Sequence, residues 1–244
     1  MLANLIVLLA VLVLGLPLAA LLLLKLMPAP VLNWADRRAT RALDVEAYNK
    51  ASPYNAPCFK PVHSICSGAA LEVTGAIPAD LEGVYLRNGT NLQFEETNGR
   101  YHMFNGAGML HQVQIGQGKA TYSNTYVKTP RYLIEDAAGS DQYLHFGDLA
   151  GGGKAGFARL TINNLKQKLG VIPKLEVLES GSSTTAIQYH HGKLYCLQET
   201  SYPFALDTRI DNGQLILEGT GDWDTFGGKL ESPFTAHPKT DPET

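Results

Sequence analysis

Cysteine is scarce in this chain: Cys58, Cys66 and Cys196 are the whole supply in 244 residues. The count is odd and no CxxC pair occurs. That excludes a disulfide framework and fits reduced thiols on the cytosolic side of a membrane. Cys58, His63 and Cys66 lie close in sequence, but a structural zinc site needs a fourth ligand that is missing. Charge is also thin, at 18% of residues, with 23 acidic groups against 20 basic ones and no dense basic run. A nucleic-acid partner is thereby excluded. Nucleotide loops are missing too. Gly151-Gly152-Gly153-Lys154 has Asp148 where a phosphate loop needs its first glycine, and Ala155 where it needs Ser or Thr. It reads instead as a flexible loop before a helix. Gly106 and Gly108 lack the third glycine and the following helix of a dinucleotide fingerprint. Past the N-terminal region, helical patterning is confined to Lys154–Leu169, which excludes parallel α/β architecture.

The chain is rich in turns instead. Its 24 glycines and 13 prolines separate short apolar-alternating runs: Leu71–Val73, Gly83–Leu86, Leu110–Ile115, Ala120–Val127, Thr184–Tyr189, Lys193–Leu197 and Gln214–Leu217. His191-Gly192 and Asn212-Gly213 read as hairpin turns between such runs. Asn88-Gly89 reads as a tight turn, which explains Asn88-Gly89-Thr90 without glycosylation. Arg87 beside it is assigned as a buried structural anchor. Gly106 and Gly108 are read as another hairpin turn. Many short antiparallel strands make a sandwich, a barrel or a propeller; with no clean internal repeat, periodicity leaves all three open.

Residues Leu2–Leu24 contain one polar side chain, Asn4, and no charge. At about 1.5 Å per residue they are long enough to cross a hydrocarbon core of about 30 Å. No Lys or Arg precedes them, while Lys25, Arg37, Arg38 and Arg41 follow. The expectation is a single-pass N-terminal membrane anchor in residues 1–27, with the main domain on the cytosolic side. Residues 28–66 are expected to form a linker with one helix, capped by Asn33 and running to about Asn49. The β-rich domain follows in residues 67–244.

Three strings carry a resemblance: GAIPADLEGVYLRNGTN at Gly75–Asn91, RYHMFNGAGMLHQV at Arg100–Val113, and SPFTAHPKTDPET at Ser232–Thr244. Together they resemble the carotenoid cleavage oxygenases, a family of non-haem iron enzymes. The resemblance implies an all-β chain, a partial seven-bladed β-propeller behind a transmembrane helix, and an apolar polyene substrate cleaved at a carbon–carbon double bond. It implies Fe(2+) held by four histidines, with His237 as the first ligand, presented on a strand end before Pro238. Glu199 matches a carboxylate that orients a ligating imidazole, its partner being a later histidine absent from this chain. His102 and His111 match motif positions that are not ligands, and acidic residues usually stand where Asn105 and Ala107 do. His190-His191 point to opposite faces and read as a surface turn. One imidazole does not hold a catalytic iron. The chain is therefore expected to be the N-terminal half of such an enzyme, inactive and aggregation-prone alone, needing the missing C-terminal half or a full-length relative. The alternative is a short membrane-anchored non-enzyme that binds carotenoids or a partner.

Overall fold

A computed structural model describes residues 15–43, 46, 48, 50, 52–55, 59–95, 100–241 and 243. The chain divides into two compact units, Met1–Tyr48 with Asp148–Lys174, and Asn49–Gly147 with Leu175–Thr244.

The larger unit is built from hairpins. Strands β1 (Ala69–Ala70), β2 (Gly83–Asn91), β3 (Ala107–Gly116) and β4 (Lys119–Tyr126) form an antiparallel sheet in the order β1-β4-β3-β2. Strands β5 (Ala186–His190), β6 (Lys193–Leu197), β7 (Phe204–Asp211) and β8 (Gln214–Trp223) form a second sheet as a simple meander. Gly116 pairs with Lys119, His190 with Lys193, and Asp211 with Gln214, so each intervening loop has two residues. At all three loops both residues have positive φ, as at His191 (46°) and Gly192 (80°). This backbone twists with the strands it joins, which is why Asn-Gly and similar pairs are selected there.

The apolar core lies between the sheets. Leu110 and Val127 from the first pack with Cys196, Phe204 and Leu206 from the second. Each such burial contributes about 1.5–3 kcal/mol. Burial pushes the Cys196 thiol far above its ordinary range, so it packs as a small apolar group. A polar seam completes the junction. Gln112 Nε2 donates to the Leu215 carbonyl at 2.7 Å, and Gln114 both donates to Gly213 O and accepts from Leu215 N. Gly219 (φ 75°) comes so near Tyr126 that a Cβ would clash with its carbonyl oxygen.

Several expectations need correction here. Asn88-Gly89 is not a turn but the middle of β2, paired with Leu110 and Met109. Asn88 is buried, and its amide donates to Ser183 O at 2.7 Å and Ala186 O at 3.0 Å. Arg87 is exposed. The buried arginine is Arg100, whose Nε donates to Gly147 O. Gly108 lies inside β3, where a Cβ would meet Ser183 O at 2.5 Å, so close strand packing rather than a hairpin requires this glycine. Strand β7 is absent from the sequence expectations because its alternation stops at Leu206; beyond it the strand is exposed. Helix α3 (Pro130–Ala138) is absent from them too, although Tyr132 N donates to the Thr129 hydroxyl at its start and Gly139 (φ 66°) closes it.

In the smaller unit, α1 (Leu16–Leu26) is apolar with no buried residue. α2 (Pro28–Thr40) packs against α5 (Gly153–Lys168), the short α4 (Phe146–Leu149) having come between. Pro28 and Pro30 start α2 rather than forming a linker, since the first turn has no backbone bond for a proline to lose. Asn33 therefore lies inside the helix, which ends at Thr40 instead of near Asn49. Asp36 accepts from Arg159 Nε at 3.1 Å and Lys166 Nζ at 2.7 Å, and Asp148 bonds the other side of Arg159. Among the described residues no single helix is long and apolar enough to cross a membrane. α1 and α2 meet that test only as a pair bent by 113°. The first part of the expected span, and Cys58, lie outside the described residues.

The unit of two sheets is strand-rich as expected. Each sheet has the four-stranded antiparallel form of a propeller blade, but two sheets do not close a ring.

Candidate functional site

Beyond β6 the chain turns at Glu199–Ser201 and later returns over the same end of the second sheet. Phe234 N donates to Ser201 O at 3.0 Å, tying the returning segment to that turn. Phe234 and the fully buried Ala236 then pack on Tyr195 and Leu197. Ala236 facing inward leaves the next residue, His237, facing outward. Its Nε2 lies 3.4 Å from Glu199 Oε1. The other carboxylate oxygen accepts from the Thr185 hydroxyl at 3.5 Å. Thr185 is itself fixed, its backbone N–H donating to Leu197 O.

The two residues singled out from sequence are thus brought together, with three differences. Glu199 meets His237 itself rather than a later histidine. His237 sits in an irregular extended segment, not on a strand end, because Pro233 and Pro238 flank it and cannot donate to a ladder. The imidazole is also open, with side-chain exposures of 72% for His237 and 53% for Glu199. At 3.4 Å the contact is an ion-pair separation longer than a good hydrogen bond. With Nε2 turned to the carboxylate, Nδ1 on the far side of the ring is the nitrogen left for another ligand. Thr185 carried no signal in sequence; only the pairing of β5 with β6 brings it to Glu199. Next to His237 along the chain, Pro238 borders a hollow of about 420 Å³ lined by apolar Tyr195, Leu197, Phe226 and Phe234 and by polar Gln188, His190, Lys239 and Asp241.

The other six histidines do not converge on this pair. His102 packs edge-on to Tyr54 (4.6 Å) and tilted against Phe146 (4.5 Å), and burial lowers its pKa, favouring the neutral ring. His111 Nδ1 lies 2.7 Å from the Tyr122 hydroxyl, its pKa lowered by burial and then by the charge of Arg87. Both fit the structural role expected of them. His190 and His191 are exposed at a hairpin turn, and His63 meets Glu95 at 3.2 Å. His145 is buried, accepting from Gly106 N and placing Nε2 3.0 Å from Asp141. Asn105, fully buried, accepts from Gly147 N and donates to Arg100 O, so a neutral amide ties two backbone segments together. Among the described residues no three His, Cys, Asp or Glu side chains converge as a metal site. One imidazole beside one carboxylate does not fit a whole iron centre, and no chemical step is assigned to a metal on these residues.

The Arabidopsis thaliana carotenoid 9,10(9',10')-cleavage dioxygenase 1 is 39% identical over 174 residues, 71% of this chain and 31% of that protein. The Crocus sativus carotenoid 9,10(9',10')-cleavage dioxygenase is 38% identical over 71% of this chain and 30% of that protein. The chain thus spans about a third of the length of these curated relatives. Among solved structures, Pseudomonas brassicacearum lignostilbene dioxygenase superposes with a TM-score of 0.58 at 24% identity, over 80% of this chain and 35% of that one. Cobalt-substituted Synechocystis apocarotenoid oxygenase superposes with a TM-score of 0.52 at 25% identity, over 75% and 34%. The profile of the retinal pigment epithelial membrane protein (RPE65) family matches residues 59–244. With that match covering well over half its length, the chain belongs to this family, the carotenoid cleavage oxygenases.

Proposed function

We propose that this chain supplies the first blades of a membrane-bound, iron-dependent dioxygenase that cleaves a carbon–carbon double bond of a carotenoid or apocarotenoid into two carbonyl products. The observation that carries this reading is the meeting of Glu199 and His237 at one end of the second sheet, in a chain of this family. His237 would be the first ligand of Fe(2+), and Glu199, braced by Thr185, would fix the ring's orientation. Iron, held there together with ligands from outside this chain, would supply the oxygen chemistry that side chains cannot. The chain's own part is to present one imidazole, and the aromatic side of the hollow that Pro238 borders offers an apolar surface to a polyene. The remaining ligands and the closure of a seven-bladed ring would come from a C-terminal continuation or a full-length relative. The chain by itself is then inactive. Residues 1–27 would anchor the protein in a membrane with the main domain cytosolic, where a lipid-dissolved substrate is at hand.

The test is a chimera of these 244 residues with the C-terminal two thirds of a matched plant relative, scored for bound iron and loss of polyene absorbance. His237→Ala is expected to abolish both, and Glu199→Gln to weaken iron retention by about 10–100-fold. Full iron and activity in the His237→Ala chimera would overturn the reading.

A further inference from the structure

The charge of this protein is divided between its two units. Met1–Tyr48 with Asp148–Lys174 holds nine Lys and Arg against four Asp and Glu; the other unit holds eleven against nineteen. Within the smaller unit, Asp36 and Asp148 are taken up by Arg159 and Lys166. Of the seven cations left over, three lie together. A groove of about 600 Å³ runs between α2 and α5, with Ala39 and Ala158 in its floor and Arg38, Arg41 and Lys154 along its rim. Among the described residues none of these three has an ion-pair partner. Trp34 also lines the groove and is 63% exposed. The unit's own exposed apolar surface continues it, through Phe157 on α5 and the unburied leucines of α1.

From this we infer that the groove between α2 and α5 seats the phosphate headgroup of an anionic phospholipid. Guanidinium groups pair with phosphate oxygens bidentately, and an indole is favoured at the headgroup level. Basic residues directly after an apolar N-terminal run are where an anionic leaflet acts most strongly. A zwitterionic headgroup offers the same phosphate but cancels it with its own ammonium, so selectivity for net negative charge is the signature. This goes beyond the anchor reading, which would hold the chain equally well in any bilayer.

The experiment uses the full chain in detergent, carrying Trp223→Phe so that emission reports on Trp34 alone, titrated with mixed micelles of brominated phosphatidylglycerol or brominated phosphatidylcholine. Phosphatidylglycerol is expected to quench at concentrations at least tenfold lower, an advantage lost at about 0.5 M salt, where the screening length is a few Å. Replacing Arg38, Arg41 and Lys154 together by Gln should weaken it by about fivefold per charge, whereas Arg209→Gln in the other unit should not. A variant that loses its helical circular dichroism is replaced by the single Arg41→Gln, for which the same fivefold shift is required. Equal quenching by the two lipids overturns the headgroup site while leaving the anchor standing. Displacement by micromolar glycerol 3-phosphate would make it a site for a soluble phosphate ester and overturn it as well.

Discussion

Gly219 shows how little room the sheet junction leaves. Its φ of 75° is already unfavourable for any other residue, and a methyl group there would meet the Tyr126 carbonyl oxygen. Gly219→Ala should destabilise the protein by about 3 kcal/mol, read from the shift in urea midpoint at constant slope. Asn88 is bound to the same junction through hydrogen bonds rather than space. Asn88→Ala removes the donor to the buried Ser183 carbonyl and should cost about 2 kcal/mol by the same measurement. A loss under about 0.5 kcal/mol would mean the bond contributes nothing net. These residues also mark where sequence stops being informative. Asn212-Gly213 and Asn88-Gly89 are the same dipeptide. The first turns a hairpin; the second is held extended because β3 pairs along its whole length. Local preference decides only where no neighbouring strand overrules it. His237 and Glu199 were legible through their wording, since nothing local says that residues 38 apart in sequence will meet. Ala236, buried on Tyr195 and Leu197, is what orients them, and that contact has no sequence signature.

Among the elements, α2 and α5 depend on a shared carboxylate. Burial alone would raise the pKa of Asp36, but hydrogen bonds and charge from Lys166 and then Arg159 outweigh it and hold the group below the usual carboxylate range. A depressed folded pKa contributes stability that is complete above the unfolded value, about 3.9, and disappears as pH falls through the folded value. Asp36→Asn should therefore lower stability by about 2 kcal/mol at neutral pH and flatten the acid limb of the stability profile. An unchanged slope below about pH 4 would show that this helix pair does not depend on the charge. The elements also differ in how openly they announce themselves. Helix α3 carries both end signals, Thr129-Pro130 and Gly139, yet it is only 9 residues long. Strands β3 and β6 read as apolar runs because both faces are covered. Leu110 and Cys196 lie in the core between the sheets, and Met109, Tyr195 and Leu197 in cores on the other faces. β7 loses its signal where its outer half meets solvent.

For the molecule as a whole, the sheet-rich unit and its family follow from the strings around Gly83, Arg100 and His237, while the helical unit does not, because its halves are far apart in sequence. Among the described residues no three ligand side chains converge, which sets a limit on what the isolated chain binds. Loaded with ferrous iron and desalted, the purified 244-residue protein should retain less than about 0.1 iron per chain. One equivalent, stable to a chelator, would mean that other residues complete a site. The distance between α2 and α5 along the chain also fixes an order of events. Asp36 leaves the ribosome 123 residues before Arg159 and 130 before Lys166. At usual synthesis rates that is a wait of roughly ten seconds, during which β1 to β4 are made. Throughout that interval the nascent α2 lacks both the cations that hold Asp36 and the helix it packs against. The helix pair is thus completed only after the whole first sheet has been made.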